Sequence, residues 1–208
     1  MSDTGPLRLV VFDATQLSRP PRALGASWHA GALLYRSMGY VDATCGVRCV
    51  GGALDWVLST AKDRPIGELQ YWGHGKWGRI LVDRESLDRS ALAPGHALRP
   101  KLEALRERLS PGALLWFRTC ETLGARAGQD FAAALGDFTG ASVAGHTYVI
   151  GYFQSGLHVL SPGASPSWDP EEGLSEGSAE EPKSALSSGP AEPNTITCFT
   201  HRVPPSLE

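Results

Sequence analysis

Two apolar runs in this chain each end in a side chain that is used in nucleophilic catalysis. One run ends at Trp72 and is followed by Gly73-His74-Gly75, and the other ends at Phe117 and is followed three residues later by Cys120. Each run is typical of a buried strand, and ligands of open α/β sheets bind outside the carboxyl ends of such strands. If the two strands are neighbours, His74 and Cys120 meet there, and a cysteine with a histidine is the minimum set for thiol-based nucleophilic catalysis.

Each of these two residues also has a simpler interpretation when taken alone. A cysteine after an apolar strand is commonly a small buried side chain, and a histidine between glycines is commonly part of a turn. Their joint position, at two strand ends and 46 positions apart, favours catalysis over an inactive relic of the fold.

The elements that must position them follow from the alternation of apolar runs with helical patterns. The predicted strands are Leu7–Asp13, Ala43–Val50, Gly67–Trp72, Arg79–Val82, Ala113–Phe117 and Ala141–Ala144, and the predicted helices are Ala26–Met38, Ala53–Ala61, Leu98–Leu109 and Arg126–Phe138. Such alternation predicts an α/β fold with a mostly parallel sheet flanked by helices. The single helix between the histidine and cysteine strands is expected to be a right-handed crossover, which makes these strands neighbours.

Composition divides the chain into three parts. Residues 1–160 are predicted to form the catalytic domain. Residues 161–194 are rich in Ser, Pro, Gly and Glu and have few large apolar side chains, so they are predicted to be a flexible loop or linker. Residues 195–208 regain β-branched alternation and are predicted to form a C-terminal edge strand and tail.

Composition and charge also exclude several classes of function. The chain has 208 residues, 42% of them hydrophobic, and a formal net charge of −3, which lacks the basic footprint needed for nucleic acid or an anionic membrane. No run approaches the roughly 20 apolar residues of a membrane span. Four cysteines without a secretory signal at the N-terminus predict reduced thiols and a cytoplasmic location.

The residues around the two candidate catalytic positions resemble a known family. The motifs are Gly73-His74-Gly75, the apolar strand that ends in Cys120, Gly124-x-x-x-Gly128-x-x-Phe131-x-x-x-Leu135, and Thr139-Gly140-Ala141. Over roughly residues 66 to 160 they resemble the caspase–gingipain–CHAT superfamily of cysteine peptidases, and most closely a CHAT-like bacterial domain of uncharacterised function. The histidine-to-cysteine separation is close to the roughly 50 residues of caspases.

The resemblance implies a caspase-like three-layer sandwich, a Cys–His dyad and no metal or other cofactor in the chemistry. It implies a cysteine endopeptidase that acts on a protein or peptide substrate, and it leaves a regulatory protein partner open. Cys120 attacks the peptide carbonyl, while His74 protonates the leaving amine and then activates water. The backbone amides of Gly75 and Cys120 face the developing oxyanion. The context Arg118-Thr119-Cys120-Glu121-Thr122 departs from that of caspases, so their preference for aspartate is not transferred.

Specificity is expected to come from the end of the first strand, the loop after it, and the residue after the cysteine. A buried carboxylate at Asp13 would select Arg or Lys before the cleaved bond, although Asp13 has an equal alternative role in capping a turn. His29 follows the loop, and Glu121 either lines the pocket or is a solvated residue near a helix start. Arg118 and Lys76 would instead favour an acidic substrate.

Three alternatives remain open from the sequence. The fold could serve as a catalytically inactive binding or scaffold module, or the same dyad could act as a small-acyl thioesterase or amidase. Cys45, Cys49, Cys198 and His201 are ligands of the types found in structural zinc sites. Since two buried thiols and an unrelated edge-strand cysteine explain the same residues, no metal is expected.

Overall fold

The computed structural model describes residues 5–15 and 23–207; the rest of the predicted 1–160 and 195–208 segments lies outside the described residues. The strands are β1 (Leu7–Asp13), β2 (Ala43–Val47), β3 (Ile66–Trp72), β4 (His74–Lys76), β5 (Arg79–Val82), β6 (Glu85–Asp88), β7 (Leu109–Arg118), β8 (Ser142–His146), β9 (Phe153–Gln154), β10 (Leu157–Leu160), β11 (Leu174–Gly177), β12 (Pro182–Ala185) and β13 (Ile196–Thr197). The α-helices are α1 (Ala23–Ser37), α2 (Val50–Thr60), α3 (Arg99–Arg106) and α4 (Ala125–Thr139), and the short 3-10 helices are Arg89–Leu92 and Pro205–Leu207.

The central sheet has six strands in the order β10-β8-β7-β3-β1-β2. β1, β2, β3, β7 and β8 are parallel, and β10 is antiparallel to β8. α1, α2 and α4 each connect two of the parallel strands along the chain. The predicted α/β fold with a mostly parallel sheet is therefore confirmed, and the strands that precede His74 and Cys120 are neighbours.

One face of the sheet packs against three helices. Leu9 and Val11 of β1 lie in the same core cluster as Leu54 of α2, Leu102 of α3 and Leu135 of α4. Successive side chains of a strand point to opposite faces, so the odd-numbered residues of β1 belong to this side of the sheet.

The opposite face packs against α1 and the C-terminal segment. Phe12 of β1 and Trp72 of β3 cluster with Tyr35 of α1, while Trp116 of β7 clusters with Ile196 near the C-terminus. With helices on both sides, the central strands are buried on both faces, which explains their nearly continuous apolar sequences.

The segment 161–194 differs from the flexible loop or linker that its composition predicts. β11 and β12 form an antiparallel hairpin, and Trp168 is buried, with its indole N–H donating to the Leu123 carbonyl at 3.1 Å. The Trp168 carbonyl accepts from the Gln129 side chain at 2.7 Å. One large aromatic side chain and hydrogen bonds to the rest of the α/β fold thus order a segment that is poor in apolar residues.

The C-terminal segment also differs in part from its prediction. Its strand, β13, covers only Ile196–Thr197 and pairs with β9 in a separate two-stranded sheet rather than at the edge of the central sheet. Its carbonyl groups accept hydrogen bonds from the buried Arg118 side chain of β7. The C-terminal segment is therefore attached to the central sheet by hydrogen bonds from the Arg118 side chain, not by strand pairing.

Candidate active site

The register of β3 and β7 places His74 and Cys120 at the same level of the sheet. These parallel strands pair with Trp72 opposite Arg118, the last residue of each strand. His74 lies two residues beyond Trp72, and Cys120 lies two residues beyond Arg118. Both side chains therefore leave the carboxyl edge of the sheet from adjacent strands, where ligands of open α/β sheets bind.

The hairpin that carries His74 packs directly on the loop that carries Cys120. A Cβ atom added to Gly75 would collide with the Thr122 hydroxyl and would lie 2.8 Å from Thr119 Cβ, so only glycine allows this approach. The Gly78 amide, at the turn between β4 and β5, donates to the Thr122 carbonyl at 2.9 Å. The predicted short strand Arg79–Val82 is present as β5, and the hairpin fixes the distance between the two loops.

The thiol of Cys120 is half-buried and faces a backbone carbonyl. Its Sγ lies 3.8 Å from the carbonyl oxygen of Ile150, to which it donates. Burial raises the pKa of the Cys120 thiol, the backbone hydrogen bond with Ile150 partly offsets this, and the negative charge of Glu121 raises the pKa again. A base is therefore needed to ionise Cys120 at neutral pH.

His74 is half-buried, and its ring contact is with an aromatic side chain of α1. The ring of Trp28 meets it edge-to-face, with the centroids 5.3 Å apart and the planes at 83°. Among the described residues, no hydrogen bond is made by the His74 ring. Its nitrogens are therefore not engaged by another described side chain.

The loop that faces the thiol is fixed by the segment that the sequence assigned to a linker. The Val149 amide donates to the Leu186 carbonyl at 2.9 Å, and the Ser188 amide donates to the Val149 carbonyl at 2.8 Å. The Glu121 amide donates to the Tyr148 carbonyl at 3.0 Å. Loop 148–150 thus lies between the loop that carries Cys120 and residues 186–188.

Asp13 lies at the carboxyl end of β1, which pairs with the strand that leads to His74, and it takes part in a turn. Its side chain is fully buried, and Oδ1 accepts from the backbone amide of Thr15 at 2.8 Å and from its hydroxyl at 2.6 Å. Burial raises the pKa of Tyr71, which lies in the cluster that includes α2, and the negative charge of Asp13 raises it further. The contacts of Oδ1 are those of a turn cap, whereas the buried Oδ2 has no hydrogen-bond partner among the described residues.

Of the other two predicted specificity residues, Glu121 is adjacent to Cys120 and His29 lies on α1. Glu121 adopts a left-handed backbone conformation, with φ at 55°, and its buried Oε2 has no hydrogen-bond partner among the described residues. Burial raises the pKa of this carboxyl, and the positive charge of Lys76 lowers it. His29 is exposed on α1, and its ring meets that of Phe12 at a centroid distance of 5.6 Å.

The two basic residues that could favour an acidic substrate differ in accessibility. Arg118 is 4% exposed, and its guanidinium donates to Gln154, to Tyr35 and to backbone carbonyls, so it is not free to bind a substrate. Lys76 is exposed, and its Nζ lies 4.4 Å from the ring centre of Trp77. Only Lys76 can therefore contact an acidic side chain.

The four residues considered for zinc are not brought together. Cys49 caps the N-terminus of α2, where its sulfur accepts from the Gly52 amide at 3.3 Å, and His201 stacks on Tyr40 at 3.8 Å on the α1 side of the molecule. Within residues 5–15 and 23–207, no group of three or more His, Cys, Asp or Glu side chains could hold a metal ion.

Sequence reasoning missed Trp28, Ile150 and the structural use of Arg118. Trp28 lies on the helix predicted over Ala26–Met38, but nothing in the local pattern indicates that its ring reaches His74. An arginine at the end of an apolar strand, two residues after Trp116, was a signal of a buried cation that needs neutral acceptors.

Comparisons of this chain with protein-family models, curated proteins and solved structures find no match. In the described part of the chain, no helix is both long and apolar enough to cross a membrane.

Proposed function

We propose that this chain is a caspase-like cysteine endopeptidase that cleaves a protein partner, with Cys120 as nucleophile and His74 as general base and acid. The observation that carries the proposal is the matched register of β3 and β7, which brings a histidine and a cysteine to one sheet edge. The close packing of the His74 hairpin on residues 119–122 supports a fixed relation between the two side chains.

The reaction begins with proton transfer. His74 accepts the proton of the Cys120 thiol as the sulfur attacks the peptide carbonyl, and the carbonyl oxygen becomes an oxyanion that faces the amides of Gly75 and Cys120. The protonated His74 then donates to the amine of the leaving peptide as the C–N bond breaks. His74 next removes a proton from water, which attacks the thioester and releases the second peptide with the free thiol.

The protonation state of Cys120 gives a first prediction. Because burial raises its pKa, alkylation of Cys120 by iodoacetamide is expected to reach half its maximal rate at a higher pH in the folded protein than in urea. His74→Ala is expected to slow the alkylation at neutral pH by about tenfold, since the base is lost, and to have little effect above the thiol pKa. Labelling is measured by peptide mass spectrometry across pH. A folded-state midpoint at or below the unfolded one would contradict this.

Glu121 is the residue that best supports selection of a basic residue before the cleaved bond. It directly follows Cys120, and this position distinguishes it from Asp13, since Oε2 of Glu121 and Oδ2 of Asp13 are both buried and unpartnered among the described residues. Glu121→Gln keeps the shape and removes the charge, so the preference in kcat/KM for Arg or Lys over Gln is expected to fall about tenfold.

Asp13→Asn is the matched control, because it makes the same change at the fully buried carboxylate. The control is expected to leave the preference unchanged, as judged by cleavage of peptides that differ only in that residue. Loss of the preference in Asp13→Asn alone would return the specificity pocket to the end of β1.

The main alternative is a binding module that keeps the fold without turnover. It is favoured by one observation: the Cys120 thiol donates to the Ile150 carbonyl, and burial raises its pKa. Under this alternative, Cys120→Ala leaves partner binding intact and no peptide is cleaved by either protein.

A further inference from the structure

Helix α1 crosses the end of the strand that leads to His74. A Cβ atom added to Gly31 would lie 2.9 Å from the ring of Trp72, so the absence of a side chain lets the helix approach closely. Tyr35 meets the same ring edge-to-face, with the centroids 5.0 Å apart. Two helix positions therefore fix α1 on the last residue of β3.

The same placement of α1 brings a third residue of the helix, Trp28, past the end of β3. Trp28 lies three residues before Gly31, which is nearly one helical turn, and His74 lies two residues beyond Trp72. The Trp28 and His74 rings meet edge-to-face, with the centroids 5.3 Å apart and the planes at 83°, which is a favourable aromatic arrangement. The contact follows from how the helix is seated on β3.

The orientation of His74 otherwise has little support. A general base usually has a third group that orients it, but no described residue hydrogen-bonds to the His74 ring. Trp28 is half-buried and packs against the cluster formed by Phe12, Tyr35 and Trp72, which holds its indole in place. A ring that is itself fixed can restrict rotation of the imidazole beside it.

We infer that Trp28 is the positioning residue of His74 and holds the imidazole in the orientation that serves Cys120. This inference rests on the proposed function, and it assigns the role of the third group to an aromatic ring rather than to a carboxylate or an amide. It predicts that the loss of the ring affects proton transfer from Cys120 more than it affects folding.

The test compares Trp28→Leu and Trp28→Phe in the full chain. Trp56→Leu is the control, because Trp56 is also half-buried but packs in the cluster on the α2 side. Two readouts are used: the proton–carbon NMR shifts of the His74 ring, assigned with His74→Ala, and the rate of Cys120 alkylation by iodoacetamide across pH. Neither needs peptide cleavage.

Trp28→Leu is expected to move the His74 ring shifts and to slow the His74-dependent alkylation by about tenfold, because a misplaced base transfers protons poorly. Trp28→Phe is expected to restore most of the rate, and Trp56→Leu to change neither readout.

If His74→Ala slows alkylation but Trp28→Leu does not, the inference is wrong and the dyad stands. If His74→Ala has no effect, the dyad and the inference both fail. If Trp28→Leu is unfolded, the Trp28→Phe ring shifts decide: unchanged His74 shifts would overturn the contact.

Discussion

Cys120→Ala is expected to abolish peptide cleavage, with a loss of about 10³-fold or more in kcat, because no other group can form the thioester. His74→Ala is expected to cause a similar loss, and the double variant should be no worse than either single one, since nucleophile and base act as a unit. Cleavage is followed by mass spectrometry with a peptide library of diverse sequence. Cys45→Ala is the control, because Cys45 is also a half-buried thiol whose pKa is raised by burial.

The outcome of this experiment separates the candidate functions. Cleavage that persists in Cys120→Ala would contradict the assignment of the nucleophile. If the wild type cleaves no peptide but hydrolyses small acyl thioesters or amides through Cys120, the chain is an acyl-transfer enzyme of another kind. If neither substrate is turned over and a partner still binds to Cys120→Ala, the fold serves as a binding module.

The central sheet could be predicted because its strands are defined locally. The strand predicted over Leu7–Asp13 has these bounds in the structure, and Gly67–Trp72 differs from β3 by one residue. Nearly continuous apolar runs are typical of strands that are covered on both faces of a sheet. Such runs therefore indicate both the strands and the presence of helices on both sides of the sheet. Adjacency of β3 and β7 followed from the single crossover between them.

The contacts of individual polar side chains could not be predicted in the same way. Asp13 had two interpretations, and only its distance to Thr15 shows that it caps a turn. The order of residues 161–194 depends in part on Trp168, whose indole N–H donates to a carbonyl 45 positions away along the chain. Such pairings depend on tertiary structure, and the amino-acid composition of a segment does not reveal them.

Arg118 illustrates a buried charge whose partners come from a distant part of the chain. Its guanidinium makes two bonds to the Gln154 side chain, at 3.0 and 2.8 Å, and one to the Tyr35 hydroxyl at 2.8 Å. The remaining acceptors are the backbone carbonyls of Thr197, Cys198 and Thr200, at 3.1 to 3.3 Å. The guanidinium also lies 4.7 Å from the ring centre of Trp116 and 5.4 Å from that of Trp72. None of its hydrogen bonds goes to a carboxylate of the described residues, so neutral oxygens and aromatic faces solvate the charge.

Arg118→Leu is therefore expected to lower the free energy of unfolding by about 3–5 kcal/mol, because the buried acceptors lose their donor and remain shielded from water. Arg118→Lys is expected to lose less, since it keeps the charge but cannot bridge the same set of oxygens. Urea unfolding measures both, and limited proteolysis reports release of residues 195–207.

The control is Arg84→Leu on the exposed surface, which is expected to change stability by no more than about 0.5 kcal/mol. Equal effects of Arg118→Leu and Arg84→Leu would contradict the anchor. Since Arg118 is the last residue of β7, loosening it is also expected to displace Cys120, so that activity falls at temperatures where the variant is still folded.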